Sequence, residues 1–98
     1  MNAAFYVATG GYLSLPARVA EHLLTALAYD PEVVVQLGRL PLEEIPARTA
    51  AVRRQLALGH GAEFTSAEVD RRQLLGYCDD LERLVALAQA ARKDVSLL

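Results

Sequence analysis

Along most of the chain the apolar residues recur every three or four positions, the period of a helix with one buried face. The longest such run lies within residues 65–93. Leu74, Tyr77, Leu81, Leu84, Ala88 and Ala91 follow one another there at alternating spacings of three and four, and Cys78 and Val85 widen the stripe. Arg71, Arg72, Asp79, Glu82, Arg83 and Gln89 occupy the opposite side. Thr65 and Glu68 have the spacing of a capping box, and Phe64 and Val69 that of a hydrophobic staple. The pattern therefore predicts one continuous helix over 65–93, on the order of 40 Å long at 1.5 Å per residue. Such a rod must lie across the rest of a small domain or reach a second chain.

Upstream, Ala3–Ala8 alternates Phe5 and Val7 against Tyr6, and Thr9-Gly10-Gly11 supplies turn chemistry before Tyr12–Leu15. This predicts a short β-hairpin over 3–15, marginal unless it lies on an apolar support. Ser14 and Pro16 mark the start of a helix over 16–29, with Val19, Ala20, Leu23, Leu24, Ala26 and Leu27 on its apolar side. Asp30-Pro31-Glu32 is a second helix start. The residues after it, Val33-Val34-Val35, suit a buried strand as well as a helical face, so 31–38 is read as a short helix or strand, with the start signal favouring helix. Leu42, Ile45, Thr49, Val52 and Leu56 trace a stripe for a helix over 42–58, ended by Gly59-His60-Gly61. The 94–98 tail is apolar enough to add a third strand to the hairpin. The expected fold is mainly α: a single domain over 1–98, a small bundle of about three shorter helices packed on one long C-terminal helix.

Composition changes this picture in one respect. The 98-residue chain is 53% hydrophobic before glycine is counted, a high value for so small an interior. Either alanine, which is tolerated on any helix face, inflates the figure, or apolar surface is shared with a partner. Leu74, Tyr77, Leu81 and Leu84 are the candidates for self-association, giving a homodimer through the long helix. The formal charge of −2 argues against a general nucleic-acid or anionic-membrane binder. Lys93 is the only lysine, an arginine bias that fits a GC-rich bacterial coding sequence. A single cysteine excludes an intrachain disulfide, and no Cys/His cluster offers a metal site. With no signal region and no long apolar run, a cytoplasmic setting is expected.

Candidate chemistry is sparse, and no catalytic residue, metal ligand or cofactor is assigned. Ser14 and Ser66 read as helix-start residues. Cys78 lies on the apolar stripe beside Asp79 and Asp80, which would raise its pKa and leave it inert. His22 sits on a polar flank. Thr9-Gly10-Gly11 lacks the glycine spacing and lysine of a phosphate loop. His60, between two glycines and near Glu63, is the best-placed single functional side chain, although an exposed turn explains it too. These readings point to a non-catalytic protein–protein interaction module of the inhibitor, immunity-type or adaptor kind, not an enzyme. Its partner would be another protein, met through Glu43, Glu44, His60, Glu63, Asp79, Asp80 and Glu82 covering a basic field. The alternative is a dimeric nucleic-acid-associated regulator using Arg48, Arg53 and Arg54. A small enzyme or ligand carrier using His60 ranks third.

Overall fold

A computed structural model of the chain describes residues 2–60 and 64–97. Four short segments far apart in sequence come together as one antiparallel sheet: β1 (Asn2–Tyr6), β2 (Tyr12–Pro16), β3 (Arg39–Leu40) and β4 (Val95–Leu97), in the order β2-β1-β4-β3. Four helices complete the fold: α1 (Ala17–Ala26), α2 (Pro31–Leu37), α3 (Ile45–Ala57) and α4 (Arg71–Ala91). The expectation of a mainly α bundle with a minor hairpin is therefore corrected to an α+β fold. The reason is physical. β3 is two residues long, too short to display the alternation that identifies a strand, and it exists because it finds a partner. The 94–98 tail does add a third strand to the hairpin, as β4, and extends it to β3. β4 supplies both pairings, Phe5 with Leu97 on one side and Leu40 with Val95 on the other.

The register makes the sheet one-sided. Ala3, Phe5, Leu13, Leu15, Leu40, Val95 and Leu97 share the face that joins the helices in a single core. Ala4, Tyr6, Tyr12, Ser14, Arg39 and Ser96 share the other, where Tyr12 is 69% exposed. Against the inner face lie Val19, Leu23, Leu24 and Leu27 from α1 and its end, Ile45, Val52 and Leu56 from α3, and the whole α4 stripe.

The ambiguous 31–38 stretch is helix α2. Asp30 Oδ1 accepts from the Glu32 N–H at 3.0 Å, Pro31 fills the first turn, and Gly38 closes the helix in the left-handed conformation. α3 starts at Ile45, after a turn over 42–44. The long helix is six residues shorter at its start than expected. Thr65 and Glu68 do not cap it; Asp70 and Gln73 form the capping box instead, with both reciprocal hydrogen bonds present. Upstream, the Ser66 hydroxyl accepts from the N–H groups of Glu68 and Val69, and Val69 is buried, so the chain is committed to a turn there. At its far end α4 stops at Ala91, with Arg92 left-handed. It runs unbroken through Gly76, roughly 30 Å at 1.5 Å per residue.

The α4 stripe is consumed inside the chain. Leu74 and Leu81 are fully buried, Leu84 is 3% exposed, and Tyr77 packs on the same core. The face expected to pair two copies thus covers the molecule's own sheet and α3. Replacing Leu81 with alanine should cost about 2–5 kcal/mol in urea unfolding and leave the sedimentation coefficient unchanged. A shift from dimer to monomer without that loss would restore the self-association reading. At the hairpin, Gly11 has φ +90°, and a Cβ there would lie 2.6 Å from Leu87 Cδ1 and 2.9 Å from Leu84 Cδ2. Gly11→Ala is expected to destabilise by about 1–3 kcal/mol. Gly10→Ala, at φ +142° with nothing within 4 Å, should cost less.

Candidate docking groove

The concavity between α1 and α2 is made largely by small residues. Along α1, Ala17, Ala20 and Leu24 fall on one side at helical spacing, and α2 faces them with Pro31 and Val35. Ala3 of β1 and Leu97 of β4 form the floor. Alanine fills little of the space between two helices and a sheet end, and an open slot of about 500 Å³ remains. Its polar lining consists of Glu21, Glu32 and Gln36, and no basic residue reaches it. Neither Glu21 nor Glu32 has an ion-pair partner among the described residues.

α2 is the exposed wall. Only Val34 of its four branched residues is buried; Val33, Val35 and Leu37 are 48%, 67% and 56% exposed. At 100° per residue, Val35 projects on the groove side with Glu32, whereas Val33 and Leu37 lie on the far flank. A seven-residue helix cannot turn three consecutive valines toward one core. Part of the surplus apolar content lies here; Tyr12, Leu58 and Leu87 are exposed elsewhere.

The acidic residues proposed from sequence as partner contacts have other engagements. Asp79 and Glu82 both pair with Arg53, the Glu82 contact at 3.0 Å. The fully buried Thr49 hydroxyl donates to Glu82 Oε1 at 2.9 Å. These hydrogen bonds, first to Asp79 and then to Glu82, raise the Arg53 pKa. The network also fixes α3 antiparallel to α4. Asp80 pairs with Arg83, and Glu44 with Arg48. Glu43 and His60 are exposed, and Glu63 lies outside the described residues. The proposed contacts thus form no single acidic surface. Glu82 in particular is a clamp between helices.

Arg48 and Arg18 are similarly occupied. Arg48 donates to the carbonyls of Leu27 and Ala28 at 3.0 and 2.8 Å, closing the end of α1, and stacks 4.2 Å over Tyr29. Burial raises the Tyr29 pKa against the opposing pull of Arg48. His22 Nε2 contacts the Phe64 carbonyl, and Arg18 pairs with Glu68, so both tie the 64–69 turn to α1. His22 is accordingly a structural tether where the sequence suggested a solvated side chain. No group of three or more His, Cys, Asp or Glu among the described residues could hold a metal ion. No helix among them is long and apolar enough to cross a membrane.

Sequence reading missed Glu21, Glu32 and Val35 as site residues. The available signal was three valines on a helix too short to bury them, beside a neighbouring helix whose inward positions include alanines. Cys78 behaves as its burial dictates. Desolvation pushes the thiol up to about 11 from 9.0, with Arg53 opposing and Glu82 and Asp79 adding to the rise. The neutral thiol therefore contributes stability fully below pH 9, and that contribution is lost as pH climbs through about 11. Wild type should lose on the order of 2 kcal/mol more than Cys78→Ala across this window in urea titrations. Parallel pH profiles for the two proteins would contradict it.

No protein-family model matches the chain, and searches of curated proteins and of solved structures likewise return no match, so the functional reading rests on the residues and geometry above.

Proposed function

We propose that the chain is a non-catalytic protein–protein interaction module, of the inhibitor, immunity-type or adaptor kind, working through the groove between α1 and α2. The observation that carries this is the pairing of an open slot of about 500 Å³ with a wall helix whose groove-side Val35 is 67% exposed. An apolar concavity edged by an exposed aliphatic side chain and rimmed by polar ones is the kind of surface that marks an interaction site. The groove has the anatomy of an interface: an apolar centre and a polar rim.

The disposition of potential catalytic groups supports the same reading. Ser14 lies on the outer sheet face, Ser66 accepts from two backbone amides, Cys78 is buried, and His60 stands exposed beyond α3. Among the described residues none of these groups is brought to a base. Of Arg48, Arg53 and Arg54, which a phosphate-binding surface would use, the first two are engaged within the chain and Arg54 alone is exposed without an ion-pair partner among the described residues. A reducing cytoplasmic setting suits a module whose one cysteine is an inert core residue.

A photo-reactive amino acid placed at Val35 or Gln36, in the native cells, should yield one discrete adduct with another protein. The same probe at Arg83, on the outer side of α4, should not. Ala17→Leu, which fills the slot, is expected to abolish the adduct with little change in melting temperature. Identical adducts from positions 35 and 83, or none from position 35, would overturn the proposal.

A further inference from the structure

We infer that the segment seated in this groove is a cationic amphipathic peptide stretch, with an aliphatic side chain entering the slot and a lysine or arginine about one turn away meeting Glu21 and Glu32. The inference rests on the docking reading above and adds the chemistry of the partner.

It comes from following every described carboxylate to its partner. Glu44, Glu68, Asp79, Asp80, Glu82 and Asp94 each have an arginine within ion-pair distance. Asp70 is committed to the capping box of α4. Glu21, Asp30, Glu32 and Glu43 remain without a cation among the described residues. Glu21 and Glu32 line the groove, and Asp30 is two residues from Glu32 at the start of α2. Two of these four carboxylates, Glu21 and Glu32, thus stand at an apolar opening whose lining carries no basic residue.

Asp30 and Glu32 have a local role as well, one as the N-cap of α2 and the other as a first-turn acid. Glu21 has none. It stands exposed in the middle of α1, and the hydrogen bond recorded there, from the Thr25 hydroxyl, goes to its backbone carbonyl. Its carboxylate is the diagnostic group. A peptide is favoured over a small apolar ligand because the slot is open along its length and its carboxylates stand at the rim, where a partner's flanking residues would pass. Two carboxylates at the edge of an apolar opening steer and orient a basic segment and repel an acidic one.

The test uses the full chain and two synthetic amphipathic peptides, one built from leucine and lysine and the other with glutamate at every lysine position. Each is titrated while the NMR signals of Ala17, Ala20, Val35 and Leu97 are followed, at roughly 30 mM and roughly 300 mM salt. The leucine–lysine peptide should shift these signals and bind at least about tenfold more tightly than its acidic counterpart, the gap narrowing at high salt. Glu21→Lys should weaken its binding about three- to tenfold without lowering the melting temperature. Equal binding of both peptides in the groove would overturn the charge inference and leave the docking reading in place. Shifts confined to the Asp79–Glu82 region, or no shift at all, would overturn the cationic occupant. The docking reading itself fails only on the cross-linking outcomes, no adduct from position 35 or identical adducts from positions 35 and 83. A retained cross-link alongside failed titrations therefore separates the two.

Discussion

The pairing of β4 with two partners at once is the constraint on which the rest of the structure depends. Three residues, Val95 to Leu97, hydrogen-bond to β1 on one side and β3 on the other. Without them the β1–β2 hairpin and the two-residue β3 would be separate fragments, and short hairpins have little stability alone. Val95 is fully buried, so the pairing is locked by core packing as well as by the ladder. Leu97 also takes the Gly38 carbonyl through its N–H at 2.8 Å, fixing the end of α2 to the sheet. The same residue lines the groove floor. One short strand thus sets the sheet, the position of α2 and the shape of the opening.

Local signals were legible where one segment decides its own conformation. The Asp30-Pro31 start of α2, the Thr9-Gly10-Gly11 turn and the apolar stripe of α4 are all properties of contiguous residues. The start of α4 was misread because two capping boxes compete, Thr65 with Glu68 and Asp70 with Gln73, and their spacing is identical. What decides between them is tertiary: Val69 is buried and Glu68 reaches Arg18 on another helix. β3 was invisible for the same kind of reason, since two residues carry no period. The site was hidden further still. Whether Glu82 faces a partner or Arg53 depends on how α3 lies on α4, and charge alone does not encode that.

The distribution of charge follows from the way the helices pack. Arg48 and Arg53 sit at helix–helix and helix-end contacts, where a planar guanidinium can serve a carbonyl or two carboxylates at once. Partly exposed pairs of this kind contribute little stability each. They do orient the helices, because Thr49 and Arg53 converge on one carboxylate. An acid engaged in such a contact is withdrawn from the outside world. The negative potential of the surface is thus set less by the number of acids than by which of them lack an arginine.

The outer edges of the sheet have a further bearing on how the molecule behaves in a crowded solution. A sheet with one face bare and a tyrosine 69% exposed would ordinarily be at risk of growing by strand addition. Here one border is β3, two residues long, and the other is β2, which ends at Pro16 and has no amide proton to offer there. β3 offers a neighbour only two residues, and the five-residue β2 loses one donor at its Pro16 end. Both features make strand addition less favourable than a long uninterrupted border would, beside a tyrosine-bearing side open to water.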